Sequence, residues 1–326
     1  MRAIRSWQGI PTRRREPLRQ QPLGGDPSAQ GDSWLTPLSV IAIGGANVDV
    51  KVRASSPPIE GRSTPGEIHL APGGAARNVA EALARMGAQV ALHTVVGADL
   101  FGDWLIAATS AAGIECAGVL RGRGQTGIYV TVNGAGVADA SIVESGAPRA
   151  WPAWPGPKGT VCVLDANLSA SAIARLTPTA SRLVLIGTSP AKVGRLRPLL
   201  GGAWLLALTA AEAAALLGPA APSAGEPLAR AVAALGPQQV LLTEGQRGLG
   251  LLASGWWTSP ARPVDAVVDP TGAGDVAAAA LIVGLTAGLA PERILAAAAE
   301  AAALTVRTWG NVPPEVGIVW KGNAQR

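Results

Sequence analysis

The sequence predicts an α/β protein whose mostly parallel sheet is covered by helices on both faces. Three observations carry that prediction. Apolar runs recur at residues 38–43, 90–96, 161–164, 183–186, 204–208 and 240–243, and a strand that is apolar throughout is one buried on both sides. These runs alternate with Ala- and Leu-rich stretches of helical pattern, the order of βα units. Polar turns, often bearing glycine, follow several of the runs, on the sheet edge where open α/β sheets bind ligands.

Composition narrows the function. With 48% apolar and 15% charged residues among 326, a large core is available and one large or two small domains fit the length. Two cysteines, Cys116 and Cys162, and two histidines, His69 and His93, supply neither a disulfide framework nor a histidine metal set. This fits a reducing cytoplasm and gives a Ser-His-Asp mechanism poor odds. Part of the net charge of +5 sits in an Arg-rich leader, so no nucleic-acid partner is implied, whereas anionic small molecules are suited. The uncharged run 276–291 is the nearest approach to a membrane span, but its Ala and Gly content after a glycine turn reads as a core helix.

Taken in order, residues 1–36 read as a disordered basic leader, and the folded domain as 37–320 with a short tail at 321–326. The first strand ends in Gly44-Gly45-Ala46-Asn47-Val48-Asp49. Asp49 there suits either a grip on two hydroxyls of a polyol or an ordinary turn. Residues 51–70 are polar and proline-bearing. Pro72-Gly73-Gly74-Ala75-Ala76-Arg77-Asn78 then opens a helix. Residues 126–142 alternate around Asn133-Gly134, a hairpin signal, and could form a small separate sheet with 51–70. Gly122 to Gly127 satisfies G-x-G-x-x-G, but a strand follows, which excludes a dinucleotide site. After a Trp/Pro-rich connector at 151–157, Asp165-Ala166-Asn167, Thr209-Ala210-Ala211-Glu212 and Thr243-Glu244-Gly245-Gln246-Arg247-Gly248 each follow an expected strand.

The chain is organised around Asp269-Pro270-Thr271-Gly272-Ala273-Gly274-Asp275. The apolar run 264–268 before it reads as a strand, and the uncharged stretch after it as a buried helix. Free N–H groups at a helix start, a glycine-lined approach and the helix dipole make an anion site. A carboxylate there repels phosphate unless it has a task, such as accepting the proton of an attacking hydroxyl. The same local pattern also suits an Asp that caps a helix.

Together the G-G-x-x-x-N turn at Gly73 to Asn78 and the D-x-T-G-A-G-D turn at Asp269 to Asp275 resemble the signatures of the ribokinase-like (PfkB) carbohydrate kinases, over about residues 37–315. Within the family the local runs at 43–49, 63–68, 72–78 and 165–169 look most like the pseudouridine kinases. The resemblance implies a doubly wound sheet with a small β lid, here about 51–70 and 126–143. It implies transfer of a phosphoryl group from ATP to a ribosyl 5′-hydroxyl, with Mg²⁺ bridging the phosphates and monovalent-cation (K⁺) activation; the alternatives are a kinase of another nucleoside or a free sugar such as ribose or fructose, and a ligand-binding relative with weak turnover. Asp275 would be the base, and Gly272, Ala273 and Gly274 the anion hole. Asp49, Asn47, Gly73, Gly74, Asn78, Asp165 and Asn167 would hold the nucleoside or sugar. Thr243, Gly245, Gly248, Thr271 and Asn311 would line the nucleotide side, with Glu212 near the metal. Two departures stand out: Thr209 replaces the Asn of the family's N-x-x-E motif, and Gly187 stands where pseudouridine kinases tend to have Asp. The exposed edges of a lid sheet suit a homodimer.

Overall fold

The computed structural model describes residues 38–57, 59–133, 135–140, 160–174 and 182–324. The leader, the 151–157 connector and the last part of the second lid segment (141–143) lie outside the described residues, as do 325–326. Residues 37–326 form one compact unit.

The large sheet contains β1 (Ser39–Ile43), β4 (Gln89–Gly97), β5 (Val119–Gly122), β8 (Val161–Asp165), β9 (Arg182–Ile186), β10 (Ala203–Thr209), β11 (Val240–Thr243), β12 (Leu249–Leu252) and β13 (Trp256–Ser259). Their order is β13-β12-β11-β10-β9-β8-β1-β4-β5. Every pairing from β5 to β11 is parallel, and β12 and β13 add an antiparallel hairpin at one edge. Strand alternation explains the apolar runs. Val40, Ala42, Val161, Val163 and Val184 enter one core, and their neighbours Ile41, Ile43, Cys162, Leu164, Leu183 and Leu185 enter the other.

Helices α1 (Ala75–Arg85), α5 (Ala273–Thr286), α6 (Pro291–Thr305) and α7 (Val316–Ala324) supply the first core. The second is supplied by α3 (Ala210–Leu217), α4 (Gly225–Ala233) and a 3₁₀ segment, Val193–Gly202. Between β4 and β5, α2 (Leu100–Ala111) is capped by Asp99, whose carboxylate accepts from Gly102 N–H at 2.8 Å. The small-residue composition of α5 reflects its central place. Residues Val276 to Gly284 are all buried, and a Cβ on Gly284 would lie 2.6 Å from Ile294 of α6. The two helices therefore approach more closely than larger residues would permit. Helix α7 runs as far as Ala324.

A second, four-stranded sheet has the order β3-β2-β6-β7, with β2 Asn47–Ala54, β3 Gly66–Gly73, β6 Ile128–Val132 and β7 Ala135–Ala140. This is the small separate sheet expected from 51–70 and 126–143, with shifted bounds. Its first hairpin pairs Asn47 with Gly73 and Asp49 with Ala71 at its open end, so these residues are strand residues and not part of a loop.

Two readings change. Residues 264–268 do not form a strand. The amides of Val268 and Asp269 instead donate to the Val306 carbonyl beyond α6, at 2.7 and 3.2 Å, so a helix end takes the place of a strand neighbour. The β12–β13 hairpin was not foreseen, because Gly250 interrupts its apolar pattern. The glycine is required there: a Cβ would lie 2.1 Å from the Trp256 ring packed over it. Short β5, with Arg121 and Gly122, carried too little apolar pattern to be read.

Candidate active site

Strands β8 to β11 are parallel, so their C-terminal ends share one edge. Facing that edge are the start of α5, the start of α1 and strands β2 and β6 of the small sheet. A cleft of about 400 Å³ lies between them, lined by Asn47, Asp49, Gly74, Asn78, Asn167, Glu212, Thr243, Thr271, Gly272, Gly274 and Asp275 among others. The structure thus brings eleven of the expected residues into one cavity, although they come from distant parts of the chain.

The glycine turn is shaped by two different demands. Gly272 caps α5 with φ 87°, and a Cβ there would lie 2.3 Å from the Asn311 carbonyl oxygen. Only glycine fits. Around Gly274 the chain leaves room: the nearest atom a Cβ would meet is Thr243 Oγ1, at 3.9 Å. That bare backbone faces the cleft. Among the described residues, no protein acceptor meets the amides of Gly272, Gly274 or Asp275. Asp269 Oδ1 holds the turn from upstream by accepting from Thr271 N–H at 3.1 Å and from Thr271 Oγ1–H at 2.8 Å.

Asp275 is half-buried at this turn, and Asn78 Nδ2 donates to its Oδ2 at 2.8 Å. Burial pushes its carboxyl up to about 7; the Asn78 bond opposes the shift, and the nearby Asp165, Glu212 and Asp49 carboxyls add to it. A carboxyl poised near neutrality, reached by a cleft, is suited to take a proton.

On β2 of the small sheet, Asp49 is 2% exposed. It accepts from Asn47 Nδ2 at 2.5 Å and from Asn311 Nδ2 at 2.6 Å. Burial also raises its carboxyl above the usual range, against the pull of the Asn311 bond and the Lys51 charge. Gly73 stands beside it in the hairpin, and a Cβ on Gly73 would lie 2.2 Å from Asp49 Oδ1. Gly73 makes room for Asp49.

Glu212 faces the same cavity from the first turn of α3. Its Oε2 accepts from Thr209 N–H at 2.8 Å, while Thr209 Oγ1 accepts from Glu212 N–H at 3.2 Å. This reciprocal capping box explains how Thr209 serves where an Asn was expected, since both residue types cap well. Gly187 belongs to the same packing, because a Cβ there would lie 2.5 Å from Glu212 Oε2. Burial raises the Glu212 carboxyl, opposed by the two Thr209 bonds.

Six expected residues do not line the cleft. Asp165 is fully buried behind its wall, with its carboxylate committed to the amides of Gly45, Ala76 and Asn167, each at 2.9 Å. It organises the start of α1. Asn311 stands behind the lining, with its side chain on Asp49 and its backbone carbonyl against Gly272. Gly73 and Ala273 stand one residue behind lining positions. Gly245 and Gly248 shape the turn after β11, where Gly248 at φ 100° abuts the Ser259 carbonyl.

The structure also adds residues the sequence reading missed. Tyr129, the one tyrosine of the chain, and Thr188, Ser189 and Lys192 line the cavity. Lys192 Nζ donates to Asn167 Oδ1 at 3.0 Å. The signal for the latter three was their place just after β9, on the same strand edge as the recognised turns.

The sequence profile of the pfkB family carbohydrate kinases matches residues 38–315. The chain belongs to the pfkB family of carbohydrate kinases. This pfkB-family chain is 37% identical over 75 residues to a pseudouridine kinase of Escherichia coli, covering 23% of this chain and 24% of that protein. It is 25% identical over 253 residues to a cytidine kinase of Thermococcus kodakarensis, covering 74% and 89%. The curated relatives matched above 30% identity are overlapped over only about a quarter of their own length. Among solved structures, an Arabidopsis thaliana ribokinase complexed with ribose and ATP superposes with a TM-score of 0.69 at 24% identity, covering 87% of this chain and 99% of that one. The doubly wound α/β fold with its small second sheet is therefore that of the ribokinase-like kinases. No described helix is long and apolar enough to cross a membrane.

Proposed function

We propose that this chain transfers the γ-phosphoryl group of ATP to the 5′-hydroxyl of pseudouridine. The observation that carries the kinase reading is the conjunction at the head of α5: a carboxyl poised near pH 7 beside backbone amides with no protein acceptor, in a cleft shared with Asp49. Asp275 takes the hydroxyl proton, the amides of Gly272 and Gly274 receive charge on the transferring group while that of Ala273 is held by the Pro270 carbonyl at 3.3 Å, and Asn47, Asp49 and Asn78 orient the ribose. Phosphoryl transfer asks mainly for such positioning and charge stabilisation.

Mg²⁺ fits the donor set as an ion held chiefly by phosphate oxygens and water. Glu212 is the cleft carboxylate in the right place to reach it through its second oxygen, since Oε2 is occupied by Thr209. Bound there, Mg²⁺ would neutralise phosphate charge. No group of three or more His, Cys, Asp or Glu side chains able to hold a metal occurs among the described residues.

Pseudouridine is favoured by the short match to a pseudouridine kinase and by the four local runs of the sequence. The longer alignment to a cytidine kinase favours a second reading, a kinase of another nucleoside with the same base. ATP consumption by the purified chain with Mg²⁺ separates them across pseudouridine, uridine, cytidine, adenosine, ribose and fructose. Turnover on pseudouridine well above the rest is expected. Preference for another member discards the substrate and keeps the mechanism. Binding of ATP and nucleoside without turnover on any overturns the enzyme reading.

The lid also suits pairing with a second copy. Edge strand β3 exposes Ile68 and Leu70 on the face opposite His69, which stacks on Trp309. An unprotected edge with apolar side chains invites strand pairing. Ile68→Lys is expected to shift the chain from dimer to monomer in sedimentation equilibrium; a wild-type monomer removes the idea.

A further inference from the structure

Lys51 follows Asp49 by two residues on β2 and is 1% exposed. A lysine is almost never buried so completely unless its charge is met. Here it is ringed by oxygens. Its ammonium donates to the Trp309 carbonyl at 2.8 Å and to Asn311 Oδ1 at 2.5 Å, and forms an ion pair with the Asp269 carboxylate. Asp269 Oδ2 has no hydrogen-bond donor among the described residues, so it meets the ammonium as a charge contact without a well-directed bond.

These oxygens belong to the two segments that build the site. Asp269 begins the glycine turn and holds Thr271 through its other oxygen. Asn311 gives its amide N–H to Asp49 and packs its carbonyl against Gly272. One ammonium therefore touches both the phosphate-facing turn and, through Asn311, the lid carboxylate. It also neutralises a carboxylate just upstream of an anion-binding turn, which would otherwise weaken the hold on phosphate by like-charge repulsion.

We propose that Lys51 is a tethered monovalent cation: a positioning residue that holds the glycine turn in its anion-receptive shape and couples it to the lid, so that turnover needs no added alkali cation. This rests on the kinase reading above. It departs from the K⁺ activation implied by the family resemblance. The composition of the cluster, one carboxylate and two neutral oxygens around a single positive charge, is that of a site for a small univalent cation. Taking away the side chain leaves a net negative pocket of ammonium size, which ammonium ion can fill.

The test uses the full chain and its Lys51→Met variant. Wild-type turnover is expected to be the same in sodium, potassium and tetramethylammonium chloride at equal ionic strength. Lys51→Met is expected to lose about a hundredfold in kcat with a smaller change in KM, as misplacement of a positioned group does. Ammonium chloride restores the loss in a dose-dependent way, and tetramethylammonium, too large for the pocket, does not. A second readout needs no substrate: ammonium raises the melting temperature of Lys51→Met but not that of the wild type. Should Lys51→Met fail to fold, Lys51→Met/Asp269→Asn removes the stranded charge and is expected to fold, to turn over slowly and to ignore ammonium. A wild type that requires potassium overturns the proposal, as does a folded Lys51→Met that keeps its turnover or gains nothing from ammonium. A wild type inactive on every substrate, with the melting result intact, overturns the kinase reading and leaves the internal cation standing.

Discussion

Two glycine turns open two helices in this chain, and they have opposite fates. At the head of α1, Gly74 adopts φ 99°, and the surrounding amides of Gly45 and Ala76 both donate to Asp165. At the head of α5, Gly272 adopts φ 87°, and the amides of Gly272, Gly274 and Asp275 meet no protein acceptor among the described residues. Each is a helix N-terminus with a positive dipole end. One is filled by the chain's own carboxylate; the other is left open to a cleft. A glycine turn at a helix start is therefore a ligand site only where no side chain has already supplied the anion. By that criterion the amides of the α5 turn are open to an anion and those around the α1 turn are not.

The largest expected effect comes from breaking the open turn. Asp275→Asn should reduce turnover by about 10²–10⁴, the range of general-base assistance, while ATP and nucleoside still bind in isothermal calorimetry. A loss of only a few-fold would give the base role to another group. The pH profile makes the same point. With a carboxyl of about 7, wild-type kcat/KM falls about tenfold per unit below that value, because the base is then protonated. The sign for stability is the reverse. The folded state holds this proton more tightly than the unfolded chain, so the ionised carboxyl lowers stability progressively from about pH 4 to 7 and fully above 7. Asp275→Asn should thus be more stable than wild type at pH 8, by about 2–4 kcal/mol, with the gap closing toward pH 4 in urea unfolding.

Breaking the filled turn should act on stability first. Asp165→Ala leaves three amides without their carboxylate, and each orphaned buried donor costs about 1–3 kcal/mol. A loss of roughly 3 kcal/mol or more is expected in denaturant unfolding. Because the vacated space is ringed by donors, formate or sulfate should raise the melting temperature of this variant more than that of the wild type. If the variant is as stable as wild type and indifferent to anions, the two turns do not differ in the way described.

The sequence revealed the fold through its apolar runs, because a strand buried on both faces leaves little ambiguity of pattern. It revealed the open turn because Asp269 to Asp275 is contiguous. It could not separate Asp165 from Asp49, since both are carboxylates at or just beyond a strand end. Only the three-dimensional packing shows that one faces amides and the other the cleft. Lys51 was hidden for a related reason. A lysine in a polar, proline-bearing stretch reads as solvated, and its partners Asp269 and Asn311 are more than two hundred residues away. The false strand at 264–268 shows the converse error, an apolar run whose backbone bonds go to a helix end.

The smallest expected effect concerns a third helix start, at α3. Thr209 and Glu212 cap it reciprocally, so this N-terminus is filled by its own side chains where α1 uses Asp165 of β8, yet Glu212 still lines the cleft. It sits between the two fates. Thr209→Asn keeps a good N-cap residue, and the change in stability should stay within about 0.5 kcal/mol. The amide reaches further than the hydroxyl. If Glu212 serves the metal through the oxygen that Thr209 does not occupy, the added donor shifts the magnesium concentration for half-maximal turnover while kcat with saturating metal changes little. Thr209→Val tests the other direction: it keeps the volume, removes the acceptor for Glu212 N–H and should cost about 1 kcal/mol. With the box broken, Glu212 is freed from its paired geometry, and magnesium dependence should change more than in Thr209→Asn. Equal magnesium curves for all three chains would mean that the α3 start is architecture alone.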